Sequence, residues 1–318
     1  MSQPGNVPKG PPYLPQAAQT GGVPTVSIDV PALGVLLAIY IGFAATNMTI
    51  FQVNNRRKHI FRPSVLLFGF CMARITTCIL RIAWATRQTN ARLAIAAGIF
   101  INAGILILYI LNLFFAHRIL KAKKPQHAWL KPLDILIKGL YVLIVGALIM
   151  VITATILSFY TLNMHTRKVA RDIQLAAITY LLFIAALPLL LLAVAFLAPH
   201  DRYERDFGTE SMHSKGFIIL LTTTICVIVA GFKAGVAWET PRPINDPAWY
   251  HSKAAFYVFN FTLEILALSV FTFTRIDKRF YIPKATTKEG DEVAETNMST
   301  EENERVSVSS EVKFATEL

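Results

Sequence analysis

Cysteine is scarce in this sequence, with three residues, Cys71, Cys78 and Cys226, and all fall inside long apolar stretches. No polar segment holds a pair, which excludes a disulfide-stapled extracellular domain and leaves them as small apolar packing groups. Charge is scarce too, at 16% of residues against about 25% in soluble globular chains. Acid is scarcer still inside the apolar stretches, where Glu264 is the one carboxylate placed deep. All seven histidines lie in connecting segments or at predicted helix ends, which argues against a zinc site within the apolar region. No basic segment followed by a short apolar run opens the chain, so no cleavable signal peptide is expected. No lysine stands midway along the last apolar stretch, which removes the usual retinal attachment point.

What is abundant is apolar sequence. Of 318 residues, 54% are hydrophobic, and runs of twenty or more recur along the chain. Such runs predict an all-α polytopic membrane protein. Seven helices are expected, near Pro31–Val53, Ser64–Thr86, Leu93–Ala116, Ile135–Tyr160, Ile173–Leu197, Gly216–Ala237 and Ser252–Thr274. Asp29 and Pro31 read as a cap and first-turn proline for the first helix. Pro188 inside the fifth predicts a kink. Residues 25–283 thus form one seven-helix domain. The proline-rich segment 1–24 and the acidic, Ser/Thr-rich segment 284–318 read as disordered tails.

The net charge of +11 does not indicate nucleic acid, because the basic residues gather at the ends of apolar stretches. The connections after the first, third and fifth helices and the segment after the seventh are the Lys/Arg-rich ones. The positive-inside rule then places the N-terminus outside and the C-terminus in the cytoplasm. The most basic connection carries Arg118, Lys121, Lys123 and Lys124, which would contact anionic lipid headgroups or simply fix topology.

The stretch Ser64–Thr86 organises the rest. At ~1.5 Å per residue it is roughly 34 Å long, enough for a ~30 Å hydrocarbon core, yet Arg74 sits near its middle and Arg81 two turns further on. An arginine at that depth costs at least ~2.5–3.5 kcal/mol and must face protein or water. Lys253, Tyr257, Asn260 and Glu264 succeed one another at helical spacing on the seventh helix. The expectation is a buried Arg74–Glu264 ion pair, extended by Arg81, Asn260, Asn102 and Tyr257 into a polar network. Such a network would line a ligand cavity or only fix helix register. Asn47, Asn102 and Asn112 also read as interhelical glue, and Gly231 with Gly235 forms a G-x-x-x-G match of little weight by itself.

Short motif matches carry nothing further. Asp201-Arg202-Tyr203 copies a rhodopsin-like triplet but comes after the fifth helix, and the seventh lacks an Asn-Pro-x-x-Tyr sequence. Asp206-Phe207-Gly208 has no kinase domain around it. No catalytic site, cofactor or metal is expected.

The segments LLFGFCMARITTCILRIAWATR, LYVLIVGALIMVITATILSFYTL and TPRPINDPAWYHSKAAFYVFNFTLEI resemble a fungal seven-helix membrane family defined by a domain of unknown function. The resemblance runs over about Val23–Pro283. More loosely, the tyrosine-containing approach to the seventh helix is similar to fungal lipid-translocating exporter-like and receptor-like seven-helix proteins. It implies an integral membrane protein, expected in the plasma membrane, and supplies no residue roles. Three functions stay open: a receptor or sensor for a small amphipathic ligand or lipid, a translocator of lipids or amphiphiles, and a structural membrane adaptor.

Overall fold

The computed structural model describes residues 10–13, 17–57, 61–125, 129–197, 208 and 210–280. Both the Asp-Arg-Tyr triplet and the acidic segment 284–318 lie outside them. Among the described residues, seven helices are long and apolar enough to cross a membrane: Val26–Arg56, Arg62–Thr86, Ala91–Lys123, Leu130–Tyr160, Met164–Leu197, Met212–Trp238 and Lys253–Phe273. Among the described residues, extended pairing is limited to one isolated bridge, Ala17 with Pro243. The all-α, seven-helix expectation therefore holds.

Several helices outrun their apolar cores. The fifth begins at Met164, not Ile173, and the third continues to Lys123, past Ala116. The physical reason is that polarity marks where a helix leaves the hydrocarbon, whereas only a breaker or a cap ends its hydrogen bonding. Pro188 lies inside the fifth helix without ending it. The first helix starts at Val26, with Thr25 as its N-cap residue. Asp29 is therefore not the cap. It lies in the first turn, fully buried, and accepts from the Thr25 amide at 2.7 Å. Asn90, Ser211 and Ser252 do cap their helices, each side chain accepting from amides of the first turn.

Two irregularities position the site. The third helix is interrupted at Ile105, between segments Ala91–Gly104 and Leu106–Lys123. The seventh helix contains a π turn at Val258–Thr262. This wider turn adds a residue to the hydrogen-bonded ring and rotates the remainder of the helix, which shifts the expected stripe.

Successive helices pack side by side, and the third also packs against the fifth and sixth. At the end where the third helix finishes, the core is filled by aromatic rings. Phe115 lies 4.6 Å from Phe280, 6.1 Å from Phe271 and 6.3 Å from Phe61, ring centre to ring centre. Asn47 donates to Thr272 at 3.1 Å, and Thr222 donates to Asn112 at 2.7 Å. Both contacts tie neighbouring helices through otherwise buried polar groups. A Cβ at Gly231 or Gly235 would meet nothing within 4 Å, so among the described residues their motif makes no close helix contact.

At the opposite end the N-terminal segment does not hang free. The Ala18 amide donates to the Arg242 carbonyl at 2.9 Å and Gly21 to His251 at 3.0 Å. Residues 17–24, expected as part of a disordered tail, form a strap across the bundle end instead. The tail reading overlooked that these amides find carbonyl partners on the connection before the seventh helix.

A candidate ligand pocket beneath the strap

Arg74 and Glu264 meet as the sequence leads one to expect. Both are fully buried, and Arg74 Nη2 stands 2.5 Å from each Glu264 carboxylate oxygen. The second and seventh helices are not among the closely packed pairs; the long arginine side chain bridges them. It does so by crossing Gly104, where a Cβ atom would stand 3.1 Å from the guanidinium carbon. A glycine here leaves room for the cation.

The break in the third helix supplies the next partner. Ile105 turns its amide to the Ala103 carbonyl. The Ile101 carbonyl instead accepts from Arg74 Nη1 at 3.1 Å and from Lys233 Nζ at 3.3 Å. One backbone oxygen thus joins two cations from different helices, and Glu264 is the carboxylate paired with the first of them.

Arg81 is buried but does not join this pair. Its guanidinium lies 3.8 Å over the Phe256 ring, a cation–π contact. Its Nη2 donates to the carbonyls of Gly21 at 3.2 Å and Gly22 at 3.4 Å in the strap. Arg81 Nε is buried without an acceptor among the described residues. Gly21 has φ +81, and a Cβ there would lie 2.5 Å from Phe256, so any side chain would push the strap off the arginine.

The remaining expected members separate. Asn102 is exposed toward the cavity and bonds back to Gly98 in its own helix. Asn260 is buried and donates to Phe256. Tyr257 faces the first helix and donates to Asp29 at 2.6 Å, where Lys253 also reaches Asp29 at 2.6 Å. The expected continuous network is therefore three local sets. The π turn explains the separation of Tyr257 from Glu264, since it changes their relative facing.

What unites Arg81, Asn102 and Asn260 is a cavity of about 420 Å³ below the strap. Its walls come from the second to seventh helices, the strap and the connection Thr240–His251. The volume is that of a small-molecule site. Its lining includes apolar side chains, among them Ile95, Val151, Ile178 and Leu182, and the cations Lys233, Arg171 and Arg81. Sequence reasoning passed over Lys233 because it lies near a helix end, although a lysine within an apolar helix was the available signal.

His251 lines the same cavity. Its Nδ1 accepts from the Ala248 amide at 3.2 Å, so the ring is neutral in this geometry. Burial first, and then the nearby Arg242, hold its pKa below the ordinary value.

At the far end, Lys121 is exposed and pairs with Asp134 at 2.9 Å. Lys124 is buried, Arg118 and Lys123 are half-buried, and Lys123 Nζ lies 4.4 Å from the Phe196 ring centre. Lys121 is thus the expected headgroup contact most open to a lipid surface. Among the described residues no three His, Cys, Asp or Glu side chains come together as metal ligands.

Residues 208–281 match a family model described as a protein of unknown function, DUF3112. Over these residues the chain is similar to the DUF3112 family. The match takes in the sixth and seventh helices and the connection between them, and so includes Lys233, His251, Asn260 and Glu264. No curated protein and no solved structure matches the chain. The DUF3112 match brings no ligand or reaction with it.

Proposed function

We propose that this chain is a receptor- or sensor-like membrane protein that takes a small amphipathic ligand into the cavity beneath the strap. The observation that carries the reading is the shared Ile101 carbonyl. Lys233 lines the cavity, and the oxygen it holds is also held by Arg74 of the buried pair. A ligand that draws Lys233 away leaves Arg74 with a stronger claim on that oxygen, at the one point where the third helix is already broken. The result is a shift of the second, third and sixth helices relative to one another. In this reading the strap end faces outside, the basic ends carry the shift into the cytoplasm, and the membrane is the plasma membrane. No chemical step is assigned to the protein.

The test uses full-length protein in lipid nanodiscs, with spin labels on Arg62→Cys at the start of the second helix and His213→Cys at the start of the sixth. Both positions are exposed, and the three native cysteines are buried. Hexadecanoate or hexadecanol should shift the distance between the labels. Gly98→Phe should abolish the shift, because Gly98 lines the cavity, a Cβ there meets nothing within 4 Å, and the ring beyond it would fill the space. Distances that stay fixed with both probes would overturn the proposal.

A further inference from the structure

The cavity walls are unbalanced in charge. Arg81, Arg171 and Lys233 line the space, and Glu239 is the acid among the lining residues. Glu239 is exposed, and it is its carbonyl that holds Arg171 at 2.9 Å. Lys233 has three N–H donors, and the Ile101 carbonyl is its hydrogen-bond acceptor in this structure. The nearest deep carboxylate, Glu264, is bonded to Arg74. Arg81 is 2% exposed, and its described acceptors are neutral carbonyls. A cation within a membrane ordinarily meets an anion, since its desolvation is otherwise uncompensated. Among the described residues neither Lys233 nor Arg81 hydrogen-bonds to a carboxylate: Glu264 acts on Lys233 and Asp29 on Arg81 only through space, and both acids are already bonded to other cations. The same cavity is lined by Ile95, Val151, Ile178, Leu181 and Leu182, which offer apolar contact to an alkyl chain.

Resting on the pocket reading above, we infer that the ligand is a single-chain amphiphile with an anionic headgroup, a carboxylate or a phosphate. The headgroup bonds to Lys233, and Arg81 and Arg171 add positive potential. The chain lies against these apolar residues of the third, fourth and fifth helices. A cationic amphiphile of the same length is repelled, and a neutral one gains only the apolar contact. The two anions share one chemistry, a compact acceptor with several oxygens for an ammonium and a guanidinium.

Binding to purified full-length protein in a nonionic detergent, at neutral pH, distinguishes the cases. The probes are hexadecanoate, hexadecyl phosphate, hexadecanol, hexadecylamine and inorganic phosphate. Hexadecanoate or hexadecyl phosphate should bind at least about tenfold more tightly than hexadecanol, with hexadecylamine weakest. The tighter of the two anions identifies the headgroup. Lys233→Met should cut the anion's advantage over the alcohol severalfold, Arg81 and Arg171 keeping a remainder, and leave the alcohol unchanged. Lys233→Arg keeps the charge and should keep the preference, which separates headgroup recognition from a folding defect.

Alcohol or amine binding as tight as that of the anions overturns the anionic inference and leaves the pocket reading intact. A preference that Lys233→Met leaves undiminished overturns the assignment of the headgroup to Lys233. Inorganic phosphate binding as well as hexadecyl phosphate removes the amphiphile from the inference. If none of the chain-bearing probes binds, or their binding survives Gly98→Phe, both readings fall.

Discussion

The two halves of this bundle solve the same problem differently. Around Phe115, rings from several segments fill the space, and buried polar groups such as Asn112 and Thr222 satisfy one another across helices. Beneath the strap, the polar groups are larger and charged, their partners are mostly backbone carbonyls, and about 420 Å³ remains open. A purely structural role explains the first half completely. It gives no reason for the second, where closely packed apolar side chains would hold the helices together at lower electrostatic cost. The Arg74–Glu264 pair lies between the two halves and belongs to both.

The sharpest way to break the comparison is therefore to remove one member of that pair. Arg74→Ala or Glu264→Ala leaves a fully buried charge without its partner, with an expected loss of about 3–5 kcal/mol. Replacing both by Met and Leu should cost less than either single change. Thermal unfolding in one detergent checks this, and additive losses would mean that the charges are not coupled.

A second contrast sets the filled half against the open one. Phe115→Ala removes a ring from a close-packed cluster and should destabilise by about 3–5 kcal/mol. Leu182→Ala borders existing space, and its cost should stay below about 1 kcal/mol. Equal losses at the two positions would show the cavity to be closed in the working protein. Gly104→Ala sits between these in size. Its new methyl group crowds the Arg74 guanidinium, for an expected cost of about 1–3 kcal/mol and a perturbed ion pair. Gly98→Ala, facing open space, is the matched control.

Much of the fold was legible because a membrane imposes one strong rule on a sequence. Runs of twenty apolar residues must become helices whose backbone groups pair internally, and the seven such runs were clear. Arg74 and Glu264 were legible for a related reason: a charge at mid-membrane has so few solutions that depth alone narrows its partner. What escaped was local geometry. No signal in the sequence marks the break at Ile105 or the π turn over Val258–Thr262, and these decide that Lys233 shares Ile101 while Tyr257 turns to Asp29. The strap was missed because its hold depends on backbone amides and on Gly21, not on any apolar periodicity.

The smallest effect distinguishes the two ends by pH. At the far end, Asp277 is held below the ordinary carboxylate range. Burial would raise it, but hydrogen bonds from Arg275 and Asn54 outweigh that. Its contribution is complete above about 3.8, and is lost only as pH falls further, through the folded-state value. At the strap end, His251 titrates below its ordinary value of 6.5 because its neutral ring is the buried form. Its contribution is complete above 6.5 and is lost as pH falls from there through the lowered value. Protonation removes the Nδ1 acceptor from the Ala248 amide and loosens the residue whose carbonyl holds Gly21, at about 1 kcal/mol or less. As pH falls below 6.5 the strap end should therefore lose protection, while the Asp277 end, whose own loss begins only near 3.8, keeps it. Amide exchange at Gly21, corrected for intrinsic rate, is the measurement. His251→Asn keeps an acceptor that does not titrate in this range, so it should flatten the profile. Loss of protection at both ends together would show that the strap is no independent element, and that the two halves open as one.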